Sequence, residues 1–190
     1  MDQTNTYDID DYIDLAIPPI EQSIEIPEKM ESFVERYFEC RYAVNVNDKP
    51  TQDYCVLIHS NNLFILTLAP SHSIMGKTIE KIDFQVSEST DRMKNKMSGK
   101  GKRGAQILQA GSTLFKVQCS NGEEYKILSA VPGKLVEINS KLSENPNLML
   151  TKPNDLGYIA VILPQKQRFE KIKDSLITKD QYMQIINTTD

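Results

Sequence analysis

A mainly β domain of the small barrel or sandwich type is what the sequence predicts, and three observations carry that expectation. The 190 residues suffice for one domain with a real core and are too few for two comfortable ones. The runs "STLFKVQC", "EYKILSA", "GKLVEIN" and "GYIAVILP" are short and rich in β-branched and aromatic residues, with turn signals at Gly111, Asn121-Gly122, Pro132-Gly133 and Asn145-Pro146. Upstream, "YCVLIHS" and "LFILTLA" flank Asn61-Asn62 as the two arms of a hairpin.

Taken in order, residues 1–28 form an acidic tail expected to be disordered. They interleave acids with Tyr12, Ile13, Leu15, Ile17 and Ile20 and break at Pro18-Pro19 and Pro27, which leaves too little apolar surface to offset the ordering entropy. A single domain is expected over residues 29–190. It opens with an amphipathic helix, because Met30, Phe33, Val34, Tyr37 and Phe38 recur at helical spacing behind Pro27, Glu28 and Glu31. A loop rich in Asn, Asp and Pro leads to the hairpin just described. Ile79, Ile82, Phe84 and Val86 of "TIEKIDFQV" predict a further strand. The chain ends in "TKDQYMQIIN", where Thr178 and Gln181 stand at capping-box spacing and predict a helix over about 178–187.

Charge divides the chain. Residues 1–32 hold nine acids and one base, whereas the rest holds 17 acids and 21 bases, so a mildly basic body follows an acidic tail. Most of the local excess lies in a basic loop at 91–104, where Arg92, Lys94, Lys96, Lys100, Lys102 and Arg103 stand among glycines with no apolar periodicity. A long mobile loop of this composition is a candidate contact for a polyanion or an acidic protein face. No aromatic residue is interleaved, which argues against stacking on single-stranded bases.

Several motifs are excluded by context. Gly99, Gly101 and Gly104 match G-x-G-x-x-G, but the motif needs a buried strand before it and a helix after it to aim backbone amides at a pyrophosphate. Here a polar segment precedes and a strand-like one follows. Gly76-Lys77-Thr78 lacks the first glycine of a P-loop and reads as a turn with a lysine. His59 and His72, the two histidines, lack metal-ligand spacing, and Ser71-His72-Ser73 has no orienting acid nearby in sequence. Cys40, Cys55 and Cys119 make no zinc set and are expected to be free, buried thiols. No apolar run approaches the roughly 18 residues of a membrane span, and no leader opens the chain, so an intracellular protein without a membrane partner is expected.

The stretch "VPGKLVEINSKLSENPNLMLTKPNDLGYIAVIL" resembles the C-terminal half of glycine-cleavage H proteins, and "DYCVLIHSNNLFILTLAPSHSIMGKTIEKIDFQV" is similar to their N-terminal half. This resemblance implies a lipoyl-type barrel-sandwich hybrid over about residues 53–163, with short flanking helices at both ends and the basic loop as an insertion. The segments "VERYF", "HSNNLFILTLAPSH", "GKTI", "NKMSGKGKRGAQ", "CSNGEEY", "GYIAVILP" and "LTKDQY" further resemble the Abitram family, also called Simiate. That family implies a non-enzymatic protein that binds actin, influences filament assembly in cell projections such as lamellipodia and filopodia, and acts on transcription in nuclear speckles. Actin, transcription machinery and chromatin are the partners it implies. A nucleic-acid adaptor using the basic loop, and a degenerate lipoyl carrier, are the competing readings.

A lipoyl carrier needs a lysine at a hairpin tip, so "FKVQCSNGEEYKIL" becomes the test of cofactor attachment. A two-residue Asn-Gly loop would pair Val117 with Lys126 and mix apolar with charged side chains on one face. A three-residue loop of Ser120, Asn121 and Gly122 instead pairs Val117 with Tyr125 and Phe115 with Ile127, and sets Gly122 where a bulge needs positive φ. Lys116 and Lys126 then face outward, on the order of 10 Å or more from the tip. The tip is a vestigial carrier hairpin, and no cofactor is expected.

Overall fold

A computed structural model describes residues 30–188, and one unit begins at Phe33. The expected tail lies outside the described residues. The chain runs through α1 (Phe33–Tyr37), β1 (Phe38–Ala43), β2 (Tyr54–His59), β3 (Phe64–Leu68), β4 (Ile79–Asp83), β5 (Gln85–Ser87), β6 (Thr90–Asp91) and β7 (Ile107–Leu108). It continues with β8 (Thr113–Cys119), β9 (Glu124–Leu128), β10 (Gly133–Ile138), α2 (Leu148–Thr151), β11 (Ala160–Leu163), α3 (Phe169–Asp174), β12 (Ile177–Thr178) and α4 (Lys179–Asn187).

β2 and β3 are apolar nearly throughout and form the centre of a seven-stranded antiparallel sheet in the order β12-β1-β2-β3-β11-β10-β7. β4, β8 and β9 form a second, three-stranded sheet. Tyr54, Val56, Phe64, Leu66, Leu135 and Ile162 from the first sheet and Ile79, Phe115, Val117 and Ile127 from the second belong to one buried cluster. On β8 alternation produces this directly, burying Phe115 and Val117 and exposing Lys116 and Gln118. The expected mainly β hybrid with short helices at its ends is therefore what forms.

Three elements depart from expectation. The helical spacing of Met30 to Phe38 does not run its length: the chain leaves the helix after Tyr37, and Phe38–Ala43 pairs in full register with β2. An added strand thus precedes the Asn-, Asp- and Pro-rich loop, and the alternation of Phe38, Cys40 and Tyr42 with Glu39 and Arg41 is its signal. "TIEKIDFQV" divides at Phe84. A register shift between Ile79 and Lys81 lets Ile79 and Ile82 both point inward despite their odd spacing, and β5 pairs only with β6. Asn147 closes the outer edge of β4 like a fragment of a further strand, accepting from the Ile79 N–H and donating to its carbonyl at 3.0 Å each.

The C-terminal segment seals one side of the molecule. Phe169 stacks on Phe64 at 5.3 Å, β12 extends the large sheet beyond β1, and α4 starts with the expected Thr178–Gln181 capping box. Tyr182 stacks face to face on Tyr42 at 4.0 Å, and its hydroxyl accepts from the Ser71 N–H. Gly133 has no room for a side chain, since a Cβ there would lie 2.6 Å from Ile162 Cγ2 and 2.8 Å from the Leu163 carbonyl oxygen.

His72 is buried beside Tyr54 in an edge-on ring contact at 5.1 Å, and its Nδ1 accepts from the Ile74 N–H at 3.1 Å. With Nδ1 accepting that bond the neutral ring keeps its proton on Nε2, which has no hydrogen-bond partner, and burial, opposed by the Asp53 carboxylate, pulls the imidazole from its ordinary 6.5 down to about 4. As pH falls, the unfolded chain takes up a second proton before the folded one does. The contribution of the neutral ring is complete above about pH 6.5 and is lost between 6.5 and 4, amounting to about 3 kcal/mol. His72→Asn keeps an acceptor for the Ile74 N–H and removes the titration. Urea unfolding across this window is expected to show a shallower loss of stability in that variant than in the wild type.

Candidate functional site

Residues 91–104 form a tied-down clip rather than the open loop that composition predicts. Ser98 and Arg103 exchange both backbone hydrogen bonds at 3.0 Å, and the Lys102 N–H donates to the Gly99 carbonyl at 3.1 Å, closing a tight turn at the tip. Gly99 and Gly104 adopt φ of 64° and 83°, and Lys102 adopts 48°. At the base, Asn95 donates from Nδ2 to the Leu135 carbonyl and accepts from the Gln106 N–H, both at 2.8 Å. Gln106 in turn donates from Nε2 to the Asp91 carbonyl at 2.8 Å. Polar side chains supply the bonds that hold this segment, which is why no hydrophobic periodicity announces it.

Arg92 corrects the expected contact set. It is only 8% exposed, and its Nε and Nη2 donate to the Thr113 carbonyl at 3.1 and 2.8 Å while Nη1 donates to Gln106 Oε1 at 2.7 Å. Burial lowers its pKa, yet the guanidinium stays charged with these acceptors in place. A side chain committed in this way cannot meet a partner.

Lys94, Lys96, Lys100 and Arg103 are exposed and Lys102 is half-buried. Asp91 is the one acid in the segment and lies 3.5 Å from the Lys94 ammonium. Lys134, remote in sequence on β10, joins the group by donating from Nζ to the Gly101 carbonyl at 2.6 Å. No local signal marks Lys134, because only strand pairing brings β10 beside the clip.

At the other expected site the hairpin has the derived register: Val117 faces Tyr125, Phe115 faces Ile127, and Lys116 and Lys126 oppose each other on the solvent side. Gly122 adopts φ of 83°, and Ser120, Asn121 and Gly122 are exposed. The tip is braced from outside the hairpin. Glu123 Oε2 accepts from Asn121 Nδ2 at 2.8 Å and from the Tyr125 hydroxyl at 3.0 Å, and pairs with the Lys77 ammonium at 2.9 Å. These donors, Asn121 first, push the Glu123 carboxyl down to about 2. The turn Gly76-Lys77-Thr78 thus acquires a role its sequence does not show, since the Ser120 N–H also donates to the Thr78 carbonyl.

Other candidate chemistry does not assemble. Ser71 Oγ donates to Asp53 Oδ2 at 2.5 Å and accepts from the Tyr182 hydroxyl at 2.7 Å, so it is tied into the fold. The His59 ring lies tilted against Phe38 at 5.2 Å, and its Nδ1 accepts the Asn61 N–H. Cys55 and Cys119 are buried, Cys40 is half-buried, and all three are unpaired. Among the described residues no three His, Cys, Asp or Glu side chains converge as metal ligands, and no helix is long and apolar enough to cross a membrane.

A family model for the glycine cleavage H-protein matches residues 107–189. The fold aligns with the crystal structure of a glycine cleavage system H protein from Mycobacterium marinum at a TM-score of 0.50, covering 77% of this chain and 96% of that one. Their sequences are 11% identical, so the likeness is one of fold. Protein Abitram of Homo sapiens is 43% identical over 157 residues, which cover 82% of this chain and 87% of the human protein. Protein Abitram of Bos taurus is also 43% identical, covering 82% of this chain and 84% of the bovine one. The Dictyostelium discoideum Protein Abitram is 33% identical over 162 residues, covering 83% of this chain and 90% of its own length. Identity at this level, sustained across both chains, means that this protein belongs to the Abitram family and carries a domain with the glycine cleavage H-protein fold.

Proposed function

We propose that this protein is a non-catalytic regulator that docks its cationic clip on an acidic protein surface, that of actin, and acts on filament assembly in cell projections and on transcription in the nucleus. The observation that carries this reading is the presentation of Lys100, Lys102 and Arg103 on a closed turn, with Lys94 and Lys96 on the arm that leads into it and no acid between Lys94 and Arg103. Fixing the backbone in advance lowers the ordering entropy that binding must overcome, and like charges held together steer an anionic partner to one face. The resemblance of the chain to a family of actin-binding transcription modulators supports actin as the partner. The hairpin tip supports the absence of a lipoyl cofactor, since Ser120, Asn121 and Gly122 offer no amine.

Cosedimentation with filamentous actin tests the reading. Replacing Lys94, Lys96, Lys100, Lys102 and Arg103 together with Ser is expected to abolish salt-sensitive binding while leaving the thermal midpoint nearly unchanged, because surface charges contribute little to stability. Binding that survives this variant would remove the clip from the function. Titrating the same pair of proteins with DNA and RNA at two salt concentrations detects the nucleic-acid alternative as a steep salt slope.

Arg92→Ser is expected to behave in the opposite way. It strands the Thr113 carbonyl and Gln106 Oε1 and should cost about 3 kcal/mol in urea unfolding. A stability equal to wild type would contradict the role assigned to the buried guanidinium.

A further inference from the structure

The clip does not stand alone on its side of the molecule. β7 is the last strand of the large sheet, and Ile107 on it is 60% exposed although it sits directly opposite Lys134. Beside it lies a cleft of about 70 Å³, lined by Ile107, Leu108, Pro132, Lys134, Arg168 and Ile172. Its floor is apolar, as Leu108 is fully buried and Ile172 is 8% exposed, whereas its rim is cationic. Lys134 belongs to both features: it lines the cleft and hydrogen-bonds the Gly101 carbonyl at the clip tip.

We propose that the cleft receives an aliphatic side chain from an acidic, extended polypeptide segment whose carboxylates lie against the clip. The inference rests on the reading of the clip as a protein-binding surface and narrows what the partner must offer. Three observations select this occupant. The rim and the adjoining turn carry Arg168, Lys134 and the clip cations, which asks for acid on the partner. The volume suits a branched aliphatic group, since a cavity of roughly 150 Å³ is what takes a benzene ring, and no aromatic side chain lines the cleft for a base to stack on. β7 ends its sheet, so an extended segment can lie beside it with alternate side chains turned into the cleft and toward solvent.

Two synthetic peptides of equal charge separate the parts of this idea, one alternating glutamate with leucine and one alternating glutamate with serine. Full-length protein is expected to bind the leucine peptide about tenfold more tightly, the worth of one buried aliphatic side chain. Ile107→Thr, a change at an exposed edge position, should erase that preference while leaving the thermal midpoint in place. The variant with five Ser substitutions in the clip should bind neither peptide. Equal affinity for the two peptides, or a preference that survives Ile107→Thr, would overturn the cleft. So would a single-stranded oligonucleotide that displaces both peptides and binds the Ile107→Thr variant as well as wild type, since the partner would then be nucleic acid. A leucine preference without actin cosedimentation supports the cleft and refutes actin as the partner, so the two failures are distinguishable.

Discussion

The guanidinium of Arg92 lies beneath the cationic segment, donating to the Thr113 carbonyl and to Gln106 Oε1, and the position of the surrounding charges follows from it. A buried cation is tolerated only when its donors are satisfied, and these acceptors belong to β8 and to the strand approach just before β7. Once Arg92 is seated, Asp91 and Asn95 are placed to bond Gln106, and the chain between Asn95 and Gln106 has little choice but to fold back on itself. The resulting turn sits next to Lys134 and the open edge at Ile107, which is what gives one face of the molecule both charge and a small apolar recess.

A comparable economy governs the hairpin tip. An anion at Glu123 gathers three donors and ties the apex to the neighbouring turn. The Lys77 ammonium that reaches this place is held by Glu123, and Lys116 and Lys126 lie down the arms. Ser120, Asn121 and Gly122 at the apex carry no amine of their own.

Much of the β framework was legible in advance because alternation is a local signal. The register of β8 with β9 followed from two constraints alone: that one face be uniformly apolar, and that a glycine occupy the position of positive φ. β1 escaped because the helical spacing of Phe33, Val34, Tyr37 and Phe38 was carried through the point where period 3.6 gives way to period 2. The helix Phe169–Asp174 and the edge strand Ile177–Thr178 escaped because both are too short to show a period and owe their form to what they cover. Arg92 looked like its neighbours in a basic run, since nothing local distinguishes a guanidinium bound to remote acceptors from one in water.

Composition and periodicity by themselves determined that the chain makes a mainly β domain, that its strands bury the faces they do, and that a strongly basic segment interrupts them. Which cations remain on the surface, which lysine stands near the hairpin tip, and that Ile107 and Arg168 come to share a cleft with Lys134 were decided only by the tertiary structure. The reason is physical. Burial of apolar faces is written in the spacing of neighbours along the chain, but the fate of a charge depends on acceptors that strand pairing brings from far away in sequence.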